Sequence, residues 1–412
     1  MKKRIVVTGV GIVSPVGIGK HEFVRSIREG KSSADIIRSF DVSMHTTKFA
    51  SLVKDFVPEQ FIDKKRCRRM ARFTQLGFAA AKMAIEDSNI DLSKEDLSRI
   101  GIVTGTGIGG LEVVEAETKT LLEKNAKRVS PFLIPMIITN MLPGEIAISY
   151  GFTGINYAVT SACSSANHAL GDALNLLRMG AADVMISGGA EGAVTPLGLA
   201  GFCSIKALSQ KNDNPAKASR PFDKNRDGFV IGEGAGIVVL ETLEHALARD
   251  AYIYGELAGY GASDDAYHIT APDPEGKSAA FAMEKAIMDA GVSKDEIDYI
   301  NAHGTSTVLN DKTETLAIKK VFGQRAYRIP VSSTKSMTGH SLGGAAGIEL
   351  VAVLLCIRDG FVHPTINYET PDPECDLDYV PNIVRQSQIT CAISNSLGFG
   401  GHNSTILVKK YK

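Results

Sequence analysis

Two stretches of this chain are written in the same order of elements, which constrains the fold more than any other feature. Residues 159–180 run as a strand end, a serine-rich turn, a helical pattern and Arg178-Met179-Gly180. Residues 331–360 repeat that order and close on Arg358-Asp359-Gly360. A repeat of this kind marks an internal duplication. Short aliphatic runs and helical patterns alternate around both stretches. The runs cover residues 5–8, 100–104 and 182–189 in the first half, and 253–257, 297–301 and 329–334 in the second. Two further runs, 388–395 and 404–408, close the chain. Alternation of this type predicts an α/β fold with a mostly parallel, helix-covered sheet in each half. At 412 residues the chain is long enough for one large two-lobed core. We place the halves at 1–250 and 251–412. Residues borne on the turns of two such halves would meet around one shared site.

Cys163 lies in the first of the serine-rich turns, among the small residues Ser161 to Ala166. A strand that turns sharply into a helix leaves the turn residue exposed beside the helix N-terminus. The partial positive charge there favours a thiolate. A cysteine is also often just a small buried apolar side chain. Both readings stand at this point.

Other glycine-rich turns are less specific. Gly9-x-Gly11 lacks the third glycine and the following helix of a dinucleotide site. Residues 105–110 could cradle phosphate but lack the Lys-Ser/Thr ending of a P-loop, so a tight turn is the better reading. Residues 130–143 carry three prolines among apolar side chains and are expected to form a buried irregular segment at a subunit contact.

Charge narrows the partners. Lys+Arg (45) and Asp+Glu (46) nearly cancel, so no global field selects nucleic acid or an acidic membrane. Residues 64–72 are a local exception with six basic side chains and no acidic one. On one helix, Lys65, Arg68, Arg69 and Arg72 would share a face. That face is either simply solvated or docks an acidic partner. The six cysteines include no C-x-x-C pair and no zinc-type spacing with histidine. A chain this long does not need disulfides, so a reduced cytoplasmic setting is expected. The short N-terminal apolar run does not make a signal peptide, and no run reaches the about 18 apolar residues of a membrane span.

Three polar turns sit where strands end: Cys163, His303 in residues 301–307, and His340 in residues 335–340. Two histidines on equivalent turns, each beside glycine and hydroxyl residues, point to a site. Lys335 and Glu314, if buried, would need each other as partners. Residues 398–401, Gly-Phe-Gly-Gly, offer unobstructed backbone donors for an oxyanion, or form a plain β-turn.

Taken together, the Cys163 turn, Asn301-Ala302-His303-Gly304-Thr305-Ser306-Thr307, Lys335-Ser336-Met337-Thr338-Gly339-His340 and Asn395-Ser396-Leu397-Gly398-Phe399-Gly400-Gly401 resemble the β-ketoacyl–acyl-carrier-protein synthases of the elongating type II class. Their order and spacing match over nearly the whole chain, and Arg220-Pro221-Phe222-Asp223 resembles another block of that family. The resemblance implies a thiolase-like, duplicated five-layered α-β-α-β-α fold and a homodimer. It implies decarboxylative Claisen condensation between an acyl-enzyme thioester and malonyl-carrier protein. Cys163 would be the nucleophile, with His303 and His340 holding the developing enolate. Lys335 and Glu314 would orient the histidines. The amides of Cys163 and Phe399 would form the oxyanion hole, and Phe399 would also act as a gate. Thr270, Thr305 and Thr307 match pantetheine contacts, and Ile108 and Phe202 match the acyl pocket. Lys65, Arg68, Arg69, Lys127, Arg128 and Lys206 match the docking face for an acidic acyl-carrier protein. No cofactor or metal beyond the phosphopantetheine arm of the substrates is implied, and neither nucleic acid nor membrane is an expected partner.

Three sequence features separate relatives. A thiolase would carry a second cysteine within 397–401. Initiating and chalcone-type enzymes replace the second histidine by asparagine. A chain-length-factor partner would lack Cys163. A papain-like protease does not suit the duplicated sheet pattern. A paralogue serving a specialised polyketide or lipid pathway fits the same residues. Ser164-Ser165-Ala166 departs from the family's usual residues after the cysteine, which bears on acyl-chain preference.

Overall fold

The computed structural model describes residues 2–411. Ten strands carry the architecture. The first five are β1 (Ile5–Ser14), β2 (Ile100–Gly105), β3 (Asn156–Val159), β4 (Val184–Glu191) and β5 (Gly234–Thr242). The second five are β6 (Gly255–Asp264), β7 (Tyr299–Asn301), β8 (Val331–Ser332), β9 (Cys391–Gly398) and β10 (His402–Lys409). With the short strand Gly17–Ile18 they form one 11-stranded sheet, in the order β8-β7-β9-β10-β6-β1-β5-β4-β2-β3. Counted outward from the β6–β1 junction, each half runs first, fifth, fourth, second, third strand. The duplication seen faintly in the sequence is therefore a repeat of topology. The halves join through a short antiparallel pairing, Val6 with Glu256 and Val7 with Gly255.

In both halves the outer pairs are parallel and the inner ones antiparallel. β2, β4 and β5 are buried at every position, which is why they read as unbroken small and aliphatic runs. Five helices cover the sheet: α1 (Arg72–Asp87), α2 (Ser165–Arg178), α3 (Lys277–Ala290), α4 (Val308–Phe322) and α5 (Ala345–Asp359). α1 packs outside β1, β4 and β5, and α3 packs outside β6, β9 and β10 with α4 beside it. α2 and α5 touch each other and contact strands of both halves, so they form the middle layer. The result is helix, sheet, helix, sheet, helix.

The middle layer explains the composition of α5. Every residue from Ala345 to Ile357 is buried, so the helix has no polar face. It approaches β5 closely because neither Gly236 nor Gly347 has a Cβ. A Cβ on Gly236 would stand 2.2 Å from the Gly347 carbonyl carbon. No helix among the described residues is long and apolar enough to cross a membrane.

Two local expectations change. Residues 130–143 are not a buried irregular segment. They form the helices Leu133–Ile137 and Met141–Tyr150, and Ile134 is 59% exposed. The basic run does not form one helix. Asp63 caps the short helix Lys64–Cys67, the chain then breaks, and Arg72 starts α1. Arg72 binds Glu233 and Arg66 binds Glu145, which removes both from the basic face. Lys65, Arg68 and Arg69 remain exposed.

Candidate active site

The repeated strand order places the equivalent turns after β3 and β8 at the middle layer, at the starts of α2 and α5. The first carries Cys163 and the second Lys335 and His340. The turn after β7 brings His303, and the β9–β10 hairpin brings Phe399. The Cys163 elbow is sharp: Ala162 has φ 50°, a left-handed conformation that strains a residue with a Cβ. Hydroxyls hold it. Ser165 Oγ accepts from the Ser161 amide at 2.9 Å and donates to the Ala162 carbonyl at 2.6 Å. Ser164 Oγ lies 3.0 Å from the Ser396 carbonyl and 2.7 Å from that of His402. Ser396 Oγ returns a bond to the Cys163 carbonyl at 2.8 Å. Ser164 thus ties the nucleophile turn to both strands flanking Phe399, while Ser165 braces the turn from within.

Cys163 Sγ stands 3.1 Å from His340 Nε2. The His303 and His340 rings meet edge to face with centroids 5.3 Å apart. Burial, with the nearby Lys335 charge, holds both histidines well below their ordinary value, so both rings are neutral at physiological pH. Burial also pushes the Cys163 thiol up to about 12, although the Lys335 charge and a hydrogen bond from the Phe399 amide act the other way. This corrects the expectation of a thiolate stabilised by the helix N-terminus. α2 begins just beyond Cys163, but burial favours the neutral thiol, which stands beside a neutral imidazole.

The expected Lys335–Glu314 pair is not made. Lys335 Nζ binds Glu349 of α5, and both side chains are almost completely buried. Glu314 instead accepts from the His303 and Gly304 amides, each at 2.8 Å, and from Asn395 Nδ2 at 3.2 Å. Glu314 therefore positions the backbone of the His303 turn. Burial raises it to about 7 against these donors. Glu349 escaped the sequence reading. Its signal was a lone acid inside the apolar run of α5, where an ion needs a buried partner.

A cavity of about 500 Å³ opens on this cluster. Cys163, His303, His340 and Phe399 line it. Thr270, Thr305 and Thr307 line it on one side, with Thr305 Oγ1 and Thr307 Oγ1 3.0 Å apart. Ile108 and Phe202 give it an apolar wall, and the exposed Lys206 stands at its edge. Lys335 and Glu314 do not line it; they lie behind the histidines. Lys65, Arg68, Arg69, Lys127 and Arg128 are exposed surface residues away from the cavity wall. Arg69 lies over the Phe132 ring at 4.4 Å, which joins the basic face to the segment after Arg128.

Comparison with known proteins agrees with this arrangement. The family model of the β-ketoacyl synthase N-terminal domain matches residues 2–246, and that of the C-terminal domain matches residues 254–369. The 3-oxoacyl-[acyl-carrier-protein] synthase 2 of Synechocystis sp. is 51% identical over 411 residues, covering 100% of this chain and 99% of that protein. A β-ketoacyl synthase from Burkholderia phymatum superimposes with a TM-score of 0.93 at 31% identity, with both chains covered completely. A structure of a type II polyketide acyl-carrier protein in complex with its ketosynthase, bound to a hexaketide, gives a TM-score of 0.91 at 35% identity, again over both whole chains. Two domain models that together span most of the sequence, and a relative half identical from end to end, leave one assignment: the chain belongs to the β-ketoacyl synthase family.

Proposed function

We propose that the protein is a 3-oxoacyl-acyl-carrier-protein synthase of the elongating class, which extends acyl chains in fatty acid synthesis. The observation that carries this reading is the meeting of Cys163, His303 and His340 at one cavity. In the first half-reaction Cys163 Sγ attacks the acyl thioester of a carrier protein. The sulfur–acyl bond forms, the carrier's thioester bond breaks, and the thiol proton ends on the departing pantetheine sulfur. The Cys163 and Phe399 amides receive the oxyanion. In the second, malonyl-carrier protein loses CO2 while His303 and His340 donate to the thioester oxygen. The enolate carbon attacks the acyl group, a carbon–carbon bond forms, and Cys163 leaves as thiolate and takes up a proton. Phe399, on the Gly398–Gly401 hairpin, gates the two steps. Neutral histidines suit this task, because each donates an N–H hydrogen bond to the developing anion and keeps its proton.

Thr270, Thr305 and Thr307 are assigned to the pantetheine arm, Ile108 and Phe202 to the acyl chain. No cofactor of the protein's own enters the scheme. Residues 1–250 and 251–412 act as the two units of the duplication. The protein works as a cytoplasmic homodimer, and the exposed apolar helices within 133–150 fit a subunit contact. Greater identity to the 3-oxoacyl-[acyl-carrier-protein] synthase 2 relative (51%) than to the polyketide complex (35%) favours the housekeeping role over a specialised paralogue. The test is direct: acyl- and malonyl-carrier protein together should yield 3-oxoacyl-carrier protein and CO2 in equal amounts. CO2 without condensed product, given an acylated enzyme, would sink the reading.

The docking face is assigned to Lys65, Arg68, Arg69, Lys127, Arg128 and Lys206, with an acidic acyl-carrier protein as partner. Lys65→Glu with Arg69→Glu is expected to raise KM for carrier protein roughly tenfold at low salt, and less as salt screens the pair. Maximal turnover should stay near wild type. An unchanged KM would make the face merely solvated.

A further inference from the structure

Glu191 is a completely buried carboxylate that the scheme above does not use. It ends β4, directly below the cavity. Its hydrogen-bond partners are neutral donors. Thr106 Oγ1 lies 3.1 Å from one oxygen, and the amides of Gly107 and Gly343 lie 2.7 and 3.2 Å from the other. The Ile108 amide also donates to it. The donors come from two separate turns. One is the turn after β2, whose Gly107 and Ile108 wall the cavity beside Cys163. The other follows His340 and includes Leu342, also in the cavity wall. The two turns touch backbone to backbone, because a Cβ on Gly343 would fall 2.1 Å from the Gly107 nitrogen. Burying a carboxylate among amides is costly, and these donors offset the cost only while both turns stay in place. A displacement of either turn is therefore felt by the other.

We propose that Glu191 is a specificity-determining positioning residue: its carboxylate locks the Gly107–Ile108 turn to the turn after His340, and so fixes the depth of the acyl pocket and the place of His340 together. This rests on the condensing-enzyme reading. Ile108 walls the cavity, and Gly109 next to it holds the turn in a left-handed conformation, φ 82°, close against the Ile137 carbonyl. Glu191 sets how far that turn yields before His340 is disturbed.

Glu191→Gln keeps the shape but replaces one acceptor oxygen by an NH2 that faces backbone N–H groups. The readouts are kcat/KM for a short and a long acyl-carrier protein, and malonyl-carrier decarboxylation by the acyl-free enzyme. The long-to-short ratio is expected to shift on the order of tenfold. Decarboxylation should fall about tenfold or more as His340 moves. Thr106→Val, a milder change that removes one donor on the pocket side, should shift the ratio and, because the two turns are coupled, lower decarboxylation by a smaller factor. A ratio is independent of the fraction of enzyme that is folded, so simple destabilisation does not move it. A wild-type ratio in folded Thr106→Val, or a wild-type ratio and decarboxylation rate in Glu191→Gln, overturns the proposal. Failure of the wild-type enzyme to accept any acyl chain on Cys163 overturns the condensing-enzyme reading instead.

Discussion

Cys163→Ala is expected to end acyl transfer from carrier protein to the enzyme, and condensation should fall by at least about 10⁴-fold. Intact-mass measurement after incubation with an acyl-carrier protein should find one acyl group on the wild type, lost on substitution. An acyl adduct on the variant would remove Cys163 as the nucleophile. The variant should still release CO2 from malonyl-carrier protein, since His303 and His340 remain. The thiol's environment adds a second expectation. With burial pushing Cys163 up to about 12, thiolate is scarce at neutral pH in the free enzyme. Alkylation by a small neutral reagent follows the thiolate fraction. Its rate should keep rising with pH through the neutral range, about tenfold per pH unit while thiolate is scarce. A plateau near pH 7 would mean that a thiolate–imidazolium pair exists at rest. Raised thiol and depressed imidazole work together here: neither charged form is favoured until substrate brings a leaving group to receive the proton.

The sequence spoke most clearly where chemistry and backbone need coincide. Cys163, His303, His340 and the 398–401 hairpin each sit at a strand end beside glycine or small residues, so both their identity and their placement could be read. The duplication was legible for the same reason, since a buried strand followed by a turn and a helix leaves a regular hydropathy pattern. Partners of buried charge were not legible. Lys335 pairs with Glu349, one helix further on, and no spacing rule favours that over Glu314. Only the packing of α5 into the middle layer brings Glu349 within reach. The protonation state of Cys163 was missed because a helix N-terminus is visible in sequence and desolvation is not. The basic run fails as a single helix because Asp63, just before it, caps a helix that ends at Cys67, while Glu145 and Glu233, far beyond it, take Arg66 and Arg72 into ion pairs. Those features depend on tertiary neighbours that no local pattern carries.

His303→Ala and His340→Ala should each keep acyl transfer to Cys163 and lose malonyl decarboxylation. Removing one preorganised donor to a developing oxyanion costs about 10²–10³-fold. The enolate forms only in the second half-reaction, so the loss should appear in kcat for condensation and not in the acyl-enzyme yield. The two variants need not be equivalent. His340 touches Cys163 Sγ at 3.1 Å, so its loss should also slow acylation modestly, whereas His303 has no bond to the sulfur. Glu314→Gln provides the control for positioning. It keeps an acceptor near the His303 and Gly304 amides but weakens it, so decarboxylation should fall less than in His303→Ala. Rapid-quench measurement of acyl-enzyme, with CO2 release followed separately, resolves the steps. Full decarboxylation in either histidine variant would refute the two-donor arrangement. Loss of acylation in His303→Ala would place that ring in the first half-reaction, which the hydrogen bond of the sulfur to His340 and not to His303 argues against.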